Sequence, residues 1–228
     1  MTSAAPRIDP RARAVAERFL AAVFAGYLRT EVHGRENVPP EGVATLVVAN
    51  HASGLDVFAG GYAVQRAGFF LAKAEATRIP LLGRFLLAIG AIPAERTGRD
   101  LGALKRMIAV LEEGHLLGVA PEGTRSPDGH LAPYDPGFVW LARRTGAVVV
   151  PCAIHGTRQL MPKGARFPRR GPVWVSFGSP VDVGSLATGE IQEAAALVRA
   201  QTLELLKRLA ALSGVPNPAV SSDVGPRS

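Results

Sequence analysis

Six short, almost uncharged apolar runs punctuate the 228-residue chain, at 43–49, 68–72, 88–94, 116–120, 147–154 and 173–177. Runs of this length without polar alternation suit strands covered on both faces, as in a parallel sheet. Stretches of helical periodicity separate several of them, at 55–66, 80–88 with Pro80 at its start, 99–113 and 137–145, and a last helix is expected at about 190–211. Alternating strand and helix predict an α/β layered domain whose site lies beyond the carboxyl ends of the strands. The length suits one such domain with a single core.

Residues 10–28 carry Val15, Phe19, Val23 and Tyr27 at successive i+4 spacing, with Leu20, Phe24 and Leu28 widening the stripe. Two roles fit. The helix packs on the core, or it lies in a headgroup region with Arg11, Arg13, Arg18 and Arg29 towards anionic lipid. The expected organisation is therefore an N-terminal amphipathic helix in 1–30, one folded domain in 31–213, and a disordered tail in 214–228, which has three Pro after Val215 and no periodicity. No transmembrane span is expected, because the uncharged apolar stretch from Phe19 to Leu28 is too short. Charges near the N-terminus argue against a secretory signal.

Lys plus Arg exceed Asp plus Glu by 26 to 19. The basic residues are dispersed, without a dense run or an aromatic platform for bases, so nucleic acid is not the expected partner. An anionic membrane surface or phosphate-bearing small molecules fit the +7 charge. The lone Cys152 excludes an internal disulfide and favours a reducing compartment.

Three polar clusters sit at strand ends. The first is Asn50-His51-Ala52-Ser53-Gly54-Leu55-Asp56. Ser53 and Asp56 can start a helix as a capping box, which leaves His51 unexplained. If His51 occupies the turn before that helix, the Asp56 carboxylate can fix its tautomer and steady its charged form. The second cluster is Gly90-Ala91-Ile92-Pro93-Ala94-Glu95-Arg96. The third, Pro121-Glu122-Gly123-Thr124-Arg125-Ser126, combines backbone N–H groups, a hydroxyl and a guanidinium, which suits a phosphate monoester. Arg125 could instead simply pair with Glu122 on the surface.

In this order the clusters resemble the signature of the glycerolipid acyltransferases typified by 1-acyl-glycerol-3-phosphate acyltransferase, over about Thr45 to Pro180. Residues 50–56 are similar to the NHxSxxD block, 90–96 to GxIxxxR, 121–126 to PEGTRS, and Val149-Pro151-Ile154 to a VPV-like strand. Lys73 and Glu75 match a K-x-E pair. Ala120 departs from the Phe that often precedes PEG, which bears on pocket packing.

The resemblance implies a mixed, largely parallel sheet flanked by helices, of the glycerol-3-phosphate acyltransferase type. It implies transfer of a fatty acyl group from an acyl-CoA or acyl carrier protein thioester to a lysophospholipid hydroxyl, with 1-acyl-glycerol-3-phosphate giving phosphatidic acid. His51 would act as general base and Asp56 would orient it, with no covalent intermediate. Arg96 and Arg125 are expected to hold the acceptor phosphate, with Lys73 as a further contact. Glu122 would orient an arginine or the acceptor, while Gly123 and Thr124 shape the loop. The backbone at Ser53 and Gly54 is a candidate oxyanion site. Neither cofactor nor metal is expected, and the implied location is the cytoplasmic face of the membrane, bound peripherally.

Other residues have structural readings. Cys152 reads as core, and His155 as a structural or rim residue. His33, His115 and His130 lack ligand spacing, and Ser53 lacks a nucleophile elbow. The stretch Ile79–Ile89 is more apolar than a surface helix requires, and suits an apolar tunnel, a bilayer contact or an ordinary buried helix. Three alternatives remain open: a thioesterase or lipid hydrolase on the same fold, acylation of another lyso-lipid, and a non-enzymatic lipid-binding protein.

Overall fold

The computed structural model describes residues 5–95, 100–184 and 191–220. Seven strands form one sheet: β1 (Glu31–His33), β2 (Thr45–Ala49), β3 (Gly68–Lys73), β4 (Ala91–Ala94), β5 (Leu116–Val119), β6 (Val148–His155) and β7 (Trp174–Phe177). Their spatial order is β1-β7-β6-β2-β5-β3-β4. Every pairing is parallel except β6 with β7. The helices are α1 (Pro10–Ala21), α2 (Asp56–Val64), α3 (Ala74–Arg78), α4 (Leu82–Ala88), α5 (Leu101–Glu112), α6 (Gly137–Thr145), α7 (Thr157–Leu160) and α8 (Ile191–Ser213). The α/β expectation and its mixed, largely parallel sheet therefore hold. The expected single core is divided by the sheet into two apolar layers.

The division follows the alternation of side chains along each strand. Leu46, Val48, Val149 and Ala153 join the layer containing side chains of α5, α6 and α8. Val47, Val150, Cys152 and Ile154 enter the other layer, with Phe24, Ala59 and Ala63 from the N-terminal helix and α2. Central strands are buried on both faces, which is why their runs lack polar alternation. At the amino-terminal ends of the strands, Arg66 is a brace. Its guanidinium donates to the carbonyls of Pro39, Val43 and Gly114 and to Thr45 Oγ1, at 2.7–3.1 Å.

Two elements differ from their sequence reading. The N-terminal helix continues from α1 through a π-helical turn, Ala22–Tyr27. Its i+4 series does not form the buried stripe: Ala16, Phe24 and Leu28 are buried, whereas Val15, Phe19 and Tyr27 are exposed. The helix thus has a core face and a second, outward apolar face. The tail is also not wholly loose. His155 lies 3.2 Å through Nε2 from the Val215 carbonyl, and Asn217 Nδ2 lies 3.0 Å from His155 Nδ1.

Candidate active site

Strand β2 ends at Ala49, and the next residue locks the strand end in place. Asn50 Nδ2 donates to the Ile154 carbonyl at 3.0 Å, and Oδ1 accepts the Ile154 N–H at 2.8 Å. The side chain thus extends the β2–β6 ladder one step beyond its backbone pairs. His51 then sits in a turn before α2, the position that a meeting with Asp56 requires. Its Nδ1 lies 3.1 Å from Asp56 Oδ2.

Asp56 is 3% exposed and faces only donors. Oδ2 accepts the backbone N–H groups of Ala52 and Ser53, both at 2.7 Å, and Oδ1 accepts the Thr157 hydroxyl at 2.5 Å. An ionised carboxylate can only accept, so the proton of this contact belongs on His51 Nδ1, leaving Nε2 with its lone pair. A ring held in this tautomer can take a proton from a nearby hydroxyl and be stabilised as the cation.

Ser53 contributes less freedom than a helix-start oxyanion site needs. Its N–H is committed to Asp56, its hydroxyl donates to the Met161 carbonyl at 2.8 Å, and Leu55 N–H reaches that hydroxyl at 3.3 Å. The reach of Asp56 back to the Ser53 N–H is the carboxylate half of the expected capping box. Gly54 faces the next cluster: a Cβ there would stand 2.9 Å from Met161 Cε and 3.9 Å from Arg125 Nη1.

The loop after β5 grips His51 from the other side. Glu122 Oε1 accepts the His51 N–H at 2.7 Å, and Oε2 accepts the Ala132 N–H at 3.1 Å. Ser126 N–H donates to the His51 carbonyl at 2.8 Å. Glu122 was expected to orient an arginine or a substrate. Its carboxylate instead serves backbone donors, because its half-buried position puts both oxygens against main chain. Burial raises its carboxyl above the ordinary value, opposed by these two N–H groups.

Arg125 makes no hydrogen bond or ion pair with a described residue, so it is not the surface partner of Glu122. Its guanidinium, exposed Gly123 and Thr124, and exposed Lys73 at the end of β3 all border one cavity together with His51 and Asp56. Arg96 lies outside the described residues.

The cavity has a volume of about 390 Å³, within the roughly 300–1,000 Å³ of small-molecule sites. It runs between α2 and the sheet, past Gly60 and Gly118, towards Arg66 and Gly68 at the opposite strand ends. His51, Asp56, Lys73, Thr124 and Arg125 border it at the carboxyl ends of the strands, and apolar side chains line its length, among them Val47, Val57, Phe58 and Ile89. Ile89 is the residue of the 79–89 stretch that borders the cavity. Cys152 also lines the wall, where burial pushes its thiol up and leaves it unreactive.

Thr157 was not anticipated. It follows His155-Gly156 at a strand end, which signals a turn but gives no hint of a partner 101 positions away. His155 itself is buried and stacks on Trp174 with ring centroids 5.5 Å apart, in keeping with a structural role.

An Acyltransferase family model matches residues 29–155, which include both partners of the His51–Asp56 contact and the Glu122 loop. Among curated relatives, a chloroplastic 1-acyl-sn-glycerol-3-phosphate acyltransferase of Brassica napus is 30% identical over 171 residues, 72% of this chain and 49% of that protein. A 1-acyl-sn-glycerol-3-phosphate acyltransferase of Bacillus subtilis is 27% identical over 158 residues, 69% of this chain and 76% of that protein. The chain spans about half the length of the first curated relatives it matches. Among solved structures, the 1-acyl-sn-glycerophosphate acyltransferase PlsC of Thermotoga maritima shares the fold with a TM-score of 0.76 and 31% identity, covering 87% of this chain and 80% of that one. With the matched residues making up more than half of its length, the chain belongs to the acyltransferase family that includes the 1-acyl-sn-glycerol-3-phosphate acyltransferases.

Proposed function

We propose that this protein moves a fatty acyl group from an acyl-CoA or acyl carrier protein thioester to the free hydroxyl of 1-acyl-glycerol-3-phosphate, giving phosphatidic acid. The observation that carries the reading is the His51 ring, held by Asp56 at one end of a largely apolar cavity that Arg125, unpaired among the described residues, also borders. His51 Nε2 takes the acceptor proton as the hydroxyl attacks the thioester carbonyl. The C–S bond then breaks, and the proton passes to the departing thiolate. No enzyme side chain is acylated on this route. General-base assistance of this kind supplies about 10²- to 10⁴-fold in rate, and the placement of two substrates in one cavity supports the remainder. Arg125 holds the acceptor phosphate, with Lys73 and Arg96 as further cations, and the apolar length of the cavity receives the acyl chain.

The site works at an anionic membrane surface in this reading. Support comes from the outward face of the N-terminal helix, where Val15 and Phe19 are exposed, and from exposed Ile79, Leu81, Leu82 and Leu87 around α4. Phe19 and Phe85 meet edge to face at 5.9 Å, which joins the two sets of side chains. No described helix is long and apolar enough to cross a membrane. The attachment proposed is peripheral, on the cytoplasmic face, through these exposed apolar side chains.

The test is thiol release from long-chain acyl-CoA by the full chain, with products identified by mass spectrometry. Release should require the lysophosphatidic acid acceptor and yield a diacyl product. His51→Ala should lower it by roughly 10²-fold or more. Free fatty acid formed without acceptor would instead favour a thioesterase or hydrolase.

A further inference from the structure

We propose that Thr157 is a positioning residue for this reaction, setting the plane of the Asp56 carboxylate and through it the His51 ring; the inference rests on the general-base reading above. The three donors from residues 51–53 all converge on Oδ2. Donors gathered on one oxygen fix a point, and the carboxylate plane can still turn about it. Thr157 supplies the missing constraint at Oδ1, at 2.5 Å and from a different part of the chain.

The fold builds this contact with evident constraint. Thr157 is 1% exposed. It is delivered by a turn at Gly156, where φ is +91° and an added Cβ would stand 2.6 Å from the Pro172 carbonyl oxygen. The hydroxyl is a neutral donor, so it orients the carboxylate without setting beside it the competing positive charge that a Lys or Arg in the same place would bring. A hydrogen bond to a buried charged group also gains strength from the low local dielectric. The plane of Asp56 decides where the Oδ2 lone pair points. That direction in turn decides whether Nε2 faces the cavity, the only orientation in which His51 can serve as the base.

Thr157→Val keeps the side-chain shape and removes the donor, whereas Thr157→Ser keeps the donor. With lysophosphatidic acid and a long-chain acyl-CoA, Thr157→Val should lower kcat by roughly ten- to a hundredfold, the worth of one hydrogen bond to a charged group. Both KM values should stay within about twofold, since neither substrate touches the hydroxyl. Thr157→Ser, which keeps the donor to Oδ1, should recover most of the rate. In a His51→Ala background, Thr157→Val should cost nothing further.

An unchanged kcat in a folded Thr157→Val variant would overturn the proposal. So would a Ser variant as impaired as Val, or an equal loss in the His51→Ala background, since each would make the role one of packing. A fully active His51→Ala single variant would remove the general-base reading itself, and the positioning role with it. That outcome is recognised without any Thr157 variant.

Discussion

Leu81, at the turn between α3 and α4, adopts φ +61° and ψ −57°, and Leu82 N–H bonds back to the Pro80 carbonyl at 2.7 Å. This is a three-residue γ-turn with a bulky residue in its left-handed centre, a conformation costing about 1–3 kcal/mol. The side chain is nevertheless 79% exposed, so packing within the chain gives it no evident return. Leu81→Gly should relieve the strain, less roughly 0.5–1 kcal/mol of glycine chain entropy. The expected net effect is a higher melting temperature by calorimetry, accompanied by weaker co-sedimentation with anionic lipid vesicles. Unchanged vesicle binding would exclude this tip from the membrane contact. Leu81 was legible in the sequence as part of an apolar stretch, but its strain was not, because backbone angles at one residue leave no compositional trace. Glu122 teaches a similar lesson. Its residue type announced a charged group at a site, while the backbone donors it serves belong to residues 51 and 132.

Elements with strong patterns are found within a few residues of where the apolar runs predict them, β2, β3, β5, β6, β7 and α6 among them. The missed ones are short. β1 is three residues with mostly exposed positions, and α3 and α7 are five and four residues, too brief to display a period. On the central strand β5, Gly118 faces the cavity level with Val47 of β2 and Phe70 of β3. A Cβ there meets nothing nearer than the Phe69 carbonyl oxygen at 3.7 Å, so a side chain fits and projects into the cavity. Gly118→Val should therefore keep the sheet, whose strand conformation favours Val, and shorten the space for an acyl chain. In competition among acyl-CoA lengths, product mass spectra should shift towards shorter chains, with the preference for acceptor unchanged. A spectrum like that of the parent would place the acyl chain elsewhere.

For the whole molecule, the tail and the sheet are coupled through His155. Burial holds its imidazole below the ordinary value, although the nearby Val215 carbonyl opposes this. The unfolded chain therefore binds a proton first, and stability is lost as pH falls from about 6.5 towards the depressed native value. Glu122 has the opposite sign: its raised carboxyl favours folding as pH falls towards about 4.3. Comparing variants isolates the two effects. Truncation after Ser213 removes the Val215 and Asn217 contacts and opens His155 to water. It should cost about 1–2 kcal/mol at neutral pH and flatten the loss of stability just below pH 6.5, both read by urea unfolding. The sequence by itself determined the α/β layering and the His51–Asp56 neighbourhood, because apolar periodicity and a four-residue gap are local properties of the chain. Only tertiary structure decided which face of the N-terminal helix is buried, that Glu122 grips His51, that Thr157 reaches Asp56, and that residues 215–217 close over His155. Each of these joins groups far apart in sequence, and their pairing depends on how the sheet brings strand ends together.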